Sequence, residues 1–250
     1  MISHSSPVPR HGIRPTTFFF LLFLAVTFLP AFARADELAD FNAAVENAAA
    51  HNRVALGYLR TGNTDLASVE IDRAREAWQA VVAAHGKPPA VFKDRKRYTT
   101  VMTDVSMRLV TADMMLTSGR PQNAAQSLAA IRAELSDLRQ SAGIELLADC
   151  VFKANAVMEE LMAYNDRTLD FTKAGDLANK AKGYGALLDR CDSLASARVR
   201  KEPEFRRLID GAKASLALIP KAIEDKDGGR VHRVLDELRS FDNLLAFRFG

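Results

Sequence analysis

The heptapeptide TGNTDLA at Thr61–Ala67 returns as TKAGDLA at Thr172–Ala178, an offset of 172 − 61 = 111 residues. A chain that repeats once at that distance uses one folding unit twice, which constrains its fold more than any single motif. Apolar spacing shows what the unit is made of. Phe41, Val45, Ala48, Ala55 and Leu59 mark a helix over about 37–60, and Ala67, Ile71, Ala74, Trp78 and Val81 mark a second over about 64–84. HGKPP at His85–Pro89 breaks the chain. A third helix follows over about 90–117, with Tyr98, Val101, Val105, Ala112 and Met115 inward. SGRP at Ser118–Pro121 then turns into a fourth carrying Ala124, Leu128, Ile131, Leu135 and Leu138.

The pattern restarts after residue 142, with helices expected over about 143–165, 174–197, 202–225 and 229–247. Gly119 and Gly229, read as the turns before the fourth and eighth helices, lie 229 − 119 = 110 apart and agree with the same duplication. With proline and glycine sparse and β-branched alternation almost missing, the expected class is all-α. The expected architecture is two tandem up-down four-helix bundles with eight helices, over 36–142 and 143–250. The alternative is a tetratricopeptide-like α-solenoid, because Tyr58, Gly62, Ala67, Ile71 and Ala74 fit that signature. Such arrays repeat about every 34 residues. Here the signature is good only once, and Lys173 stands where Gly62 should recur.

The first 35 residues are expected to leave the chain. Arg10 and Arg14 precede the apolar run Phe18–Leu29, and Ala33-Arg34-Ala35 follows, so the segment reads as a secretory signal peptide cleaved between Ala35 and Asp36. The run is about half the roughly 20 residues a spanning helix needs, so no stable membrane insertion is expected after cleavage. Residues 1–35 hold Arg10, Arg14 and Arg34 and no acid, so the remainder carries 34 − 3 = 31 basic and 31 acidic residues. A neutral, interspersed surface lacks the basic footprint of a nucleic-acid binder. The expected location is the periplasm.

Export brings an oxidising compartment, and Cys150 and Cys191 are the only two cysteines. They lie almost equally far from the turn around Leu169–Phe171, so an antiparallel hairpin brings them level and a disulfide is expected. Subtracting 111 places Ala39 and Ala80 at the equivalent positions, both small.

A helix pair, a KPP break, a long third helix and a glycine-basic turn into an alanine-rich fourth helix resemble the exported cytochrome b562 family. HGKPPAVFKDRKRY, LTSGRPQNAAQSLAAI and DGGRVHRVLDELRSFDNLL carry the likeness. The resemblance implies a four-helix bundle holding haem through Met and His. The family's histidine lies near the end of the last helix, whereas this chain has none between His85 and His232 or after His232. No C-x-x-C-H occurs for covalent haem attachment. The likeness thus points to a bundle without its haem-ligand pattern.

Of the histidines left after processing, His51, His85 and His232, none has a partner at metal-ligand spacing. Met158 and Met162 are four apart, and Met102, Met107, Met114 and Met115 gather on the third helix. Thioethers at such spacing could hold copper, but methionine there reads first as core filler. Glu159 and Glu160 are adjacent and point about 100° apart on a helix, so they cannot face each other as acid and base. No catalytic, cofactor-binding or metal residue is assigned, and no enzyme activity is expected. KDRKRY at Lys93–Tyr98 is the densest charge cluster and a candidate surface for an acidic partner. The expected function is a non-enzymatic, exported protein-binding or structural module working through the junction of its two bundles. The alternative is a small-ligand, haem or copper carrier descended from a haem bundle.

Overall fold

The structure is a computed structural model that describes Met1 and residues 29–250, with side chains described for Met1 and from Asp36 onward. Residues 2–28 of the expected signal peptide lie outside the described residues, while residues 29–35 and the backbone of the expected Ala35–Asp36 cleavage site fall within the first helix. Among the described residues the fold is all helix and contains no strand. The helices are α1 (Leu29–Arg60), α2 (Thr64–Ala84), α3 (Arg95–Thr117), α4 (Pro121–Ser141) and α5 (Leu147–Met162). A 3-10 turn (Phe171–Lys173) leads into α6 (Ala174–Leu194), a single turn α7 (Ala197–Arg200), α8 (Pro203–Leu216), α9 (Ile219–Glu224) and α10 (Gly228–Phe249).

Local chemistry sets the boundaries. Asn63, Asp94 and Asp227 each accept a hydrogen bond from a backbone N–H in the first turn of the helix that follows, at 3.3, 2.9 and 2.8 Å. The Asp94 cap starts the third helix at Arg95, five residues after the expected 90. α3 ends at Gly119, whose φ of +71° lets the Arg120 N–H reach back to the Met115 carbonyl. The fifth helix begins at Leu147 rather than 143, because Gly143 (φ +72°) closes α4 in the same way. The expected seventh helix is two. Pro220 has no N–H to give and its ring crowds the preceding turn, so α8 stops at Leu216 and α9 restarts at Ile219.

Buried side chains form two hydrophobic clusters, one from α1–α4 with Phe92, the other from α5–α10. In the first, α1 lies against α2 and α4, and α3 lies against the same two helices. In the second, α5 lies against α6 and α10, while α8 and α9 pack on those same two helices. Between the clusters α4 meets α5 and α1 meets α10.

The burial pattern recurs, in a register that differs from the sequence match. Ala124, Ser127, Leu128, Ile131, Leu135 and Leu138 of α4 reappear 107 positions on as Val231, Val234, Leu235, Leu238, Asp242 and Leu245, all buried. Tyr98, Val101, Met102 and Val105 reappear at the same offset as Phe205, Leu208, Ile209 and Ala212. For α2 and α6 the offset is 110, pairing Ala67, Ile71, Ala74, Trp78 and Val81 with Leu177, Ala181, Tyr184, Leu188 and Cys191. For α1 and α5 it is 113, pairing Phe41, Val45 and Ala48 with Ala154, Met158 and Leu161.

The 111-residue match therefore sits one position out of register, since Ala178 faces solvent where Ala67 is buried. Cys191 corresponds to Val81 and Cys150 to Glu37, so the small residues Ala39 and Ala80 are not their equivalents. Gly229 lies inside α10; the left-handed turn before that helix is taken by Lys226, at φ +52°.

Candidate functional site

A concavity of about 730 Å³ lies where the two halves meet. Both halves build it: Arg53, Leu56 and Gly57 of α1 and Gln122, Gln126 and Ala129 of α4 face Asn155 of α5 and Asn243 and Phe247 of α10. Small residues open it. A side-chain carbon on Gly57 would come within 3.3 Å of the Phe247 ring, so α10 packs tightly on α1 at that glycine.

Arg132 lines the groove and stacks over the Phe152 ring at 5.0 Å, across the junction. Its Nε and Nη2 are buried and have no hydrogen-bond partner among the described residues. Burial pushes this guanidinium down to about 10, and the charge of Arg53 pushes the same way. It stays protonated at neutral pH. Arg53 is fully engaged: Nη2 pairs with Glu46 at 2.5 Å, Nε donates to the Phe247 carbonyl at 3.2 Å and Nη1 to the Gly250 carbonyl at 2.5 Å.

Behind the groove sits a polar network in the second cluster. Asp242 has no exposed surface; Asn155 Nδ2 donates to its Oδ2 at 2.5 Å and the Tyr184 hydroxyl donates to its Oδ1 at 3.2 Å. Burial holds the Asp242 carboxyl above the usual carboxylate range, against those two hydrogen bonds and the charges of Arg239 and Arg132. In the first half the equivalents of Asp242 and Tyr184 are Leu135 and Ala74. Only the second half puts a carboxylate there.

A buried ion pair joins the halves beside this site. Arg139 Nη2 lies 2.5 Å from Asp149 Oδ1 and its Nε lies 2.8 Å from Oδ2, with the two side chains 7% and 3% exposed. Asp149 also accepts from the Leu146 N–H at 3.0 Å, capping α5.

Of the residues singled out in the sequence, Cys150 and Cys191 are joined in a disulfide with their Cα atoms 5.4 Å apart. The histidines stay apart: His51 pairs with Glu70 at 2.7 Å, His85 packs edge-on to Phe41 at 5.5 Å, and His232 contacts Asn165 at 2.6 Å. Met102 and Met158 are buried, but Met107 and Met114 are 60% and 61% exposed, so the core-filler expectation fails for them. Both point outward because Val105, Leu109 and Ala112 already take the inner face of α3. Within KDRKRY, Asp94 is a helix cap and Arg97 donates to the Asp137 carbonyl, while Lys93, Arg95 and Lys96 remain exposed. Glu159 and Glu160 diverge to Arg239 and Lys180.

No three or more His, Cys, Asp or Glu side chains are placed to hold a metal among the described residues. None of the described helices is long and apolar enough to cross a membrane. The groove residues Arg132 and Asn155 and the buried Asp242 behind them were not singled out in the sequence. Asp242 interrupts the stripe of Val231, Val234, Leu235, Leu238 and Leu245, and that break was the available signal. No protein-family model matches the chain, and no curated protein or solved structure matches it either.

Proposed function

We propose that the chain is an exported, non-catalytic module of two four-helix repeats related by internal duplication, and that it binds a protein partner in the groove between them. In this reading residues 1–35 direct export and are removed before Asp36, and the repeats cover 36–142 and 143–250. The recurrence of buried positions at offsets of 113, 110 and 107 supports the duplication, because chance similarity between alanine-rich helices has no reason to preserve which side chains are inside.

The observation that carries the binding role is the groove itself: helices of both halves line it, and Arg53, Gln122, Gln126, Asn155 and Asn243 place polar groups along its apolar walls. Such concavities, mostly apolar with a few placed polar groups, are where ligands bind. The carboxylates beside it are engaged in ion pairs, Glu159 with Arg239 and Glu46 with Arg53, which favours a binding role over a catalytic one.

A photo-crosslinking residue placed at Gln126, on the groove wall, is expected to capture a discrete partner in intact cells, while one at Met107 on the outer face of α3 does not. Identical capture at both positions, or none at Gln126, defeats the reading.

A further inference from the structure

Methionine is divided sharply between core and surface. Met158 has no exposed surface and Met102 is 6% exposed, whereas Met107 and Met114 stand on the outer face of α3 at 60% and 61%. Met115 and Met162 are half-buried against the first and second hydrophobic clusters. Met107 and Met114 are seven positions apart, so they share one side of α3 about 10 Å from each other. Met107 also lines a cleft with Val82, Tyr98, Met102 and Val110. A small molecule entering that cleft meets the exposed Met107 before the buried Met102. Neither outer methionine lines the groove between the halves.

Both cysteines are held in the disulfide, so no thiol competes for an oxidant among the described residues. The exposed thioethers are then the softest nucleophiles on the surface. From this placement we propose that Met107 and Met114 form a reversible oxidation site for hypohalous acids, one that spares the methionines of the core. The sulfur lone pair attacks the chlorine of hypochlorous acid, and hydroxide leaves. Water then adds to the chlorosulfonium sulfur, chloride departs, and two protons are released, one of which neutralises the hydroxide. The sulfur loses two electrons and the chlorine gains them. The product sulfoxide is polar and chiral. On the outer face of α3 its oxygen meets water, whereas the same change at Met102 or Met158 buries a polar oxygen in apolar surroundings. Position therefore decides whether oxidation costs stability.

To test the site, the folded chain is treated with rising molar equivalents of hypochlorous acid and quenched with excess free methionine. Tandem mass spectrometry then locates the oxygen, distinguishing Met114 from Met115. The first two equivalents are expected on Met107 and Met114, at rates about tenfold above those of Met102 and Met158, since susceptibility follows exposure. The melting transition stays in place at that dose, and the two epimer-specific methionine sulfoxide reductases together restore the original mass. Leucine is a good helix former on an exposed face, so the double variant Met107→Leu with Met114→Leu folds. At the same dose it takes oxygen on Met102 and Met115 instead, and its melting temperature falls.

Oxidation of Met102 or Met158 in the parent as fast as that of Met107 and Met114 overturns the site, as does loss of the parent's melting transition at two equivalents. A double variant whose remaining methionines stay intact at that dose overturns the sparing role. Sulfoxides that neither reductase removes overturn the reversibility. The groove reading stands apart from all of these results, because neither methionine belongs to the groove.

Discussion

A fully buried carboxylate where leucine stands 107 positions earlier gives Asp242 a direct consequence for pH behaviour. Burial raises its folded-state pKa above the unfolded value near 4. Between those two values the folded protein binds more protons than the unfolded chain, so stability falls as pH rises through that window. Asp242→Asn removes the titration. The variant's stability relative to the parent should therefore climb from pH 4 towards neutrality, read as the difference in urea midpoints; a pH-independent difference refutes the assignment. The disulfide-linked half contains a second local cost, the left-handed Lys226. Glycine carries no Cβ to clash there, so Lys226→Gly should stabilise by about 1 kcal/mol in chemical denaturation. Asp242 was legible in the sequence only as a polar break in an apolar stripe. The unpartnered donors of Arg132 were not legible at all, because their burial depends on how the two halves pack.

The helices themselves follow from apolar spacing, since a 3.6-residue period over five turns admits no other element. Boundaries were harder to read. Pro220 could be seen, but whether a proline kinks a helix or splits it depends on what the flanking turn packs against, and here Ile219 and Ala222 are buried in the second cluster. Outward Met107 and Met114 were likewise hidden, because α3 offers apolar residues on both faces and spacing alone cannot choose between them. The α5–α6 hairpin was readable from symmetry about its turn, and the bond between Cys150 and Cys191 ties it near its open end. Their separation of 41 positions makes reduction cost roughly 3–4 kcal/mol in the loop-closure account. Calorimetry with and without reductant should show the second half's melting shifted down and the first half's almost unmoved. Equal shifts in both halves would mean that the cross-link acts on the whole molecule.

At the scale of the whole chain, one heptapeptide pointed to a duplication, and its offset differs by a residue from that of the buried positions in the same helix pair. What sequence could not show is how tightly the halves are joined. The chain boundary near residue 142 runs between Arg139 and Asp149, so an ion pair that is almost wholly buried spans the expected division. Removing one partner of such a pair strands the other charge in a dry junction, at a cost of about 3–5 kcal/mol, whereas replacing both by apolar groups of similar volume is often neutral or better. Asp149 has a second task as the acceptor for the Leu146 N–H, and losing a helix cap costs about 1 kcal/mol. Asp149→Ala should therefore destabilise by about 4–6 kcal/mol, the pair term and the cap term together. Arg139→Met with Asp149→Leu should lose only about the cap's 1 kcal/mol. The single variant should also separate the melting of the halves into two transitions in calorimetry, since the junction is then held mainly by the Arg53 contacts to α10 and the Arg132 stack on Phe152. If the single and double variants are equally destabilised, the ion pair contributes no more than its cap, and the halves are joined chiefly by apolar packing across the groove.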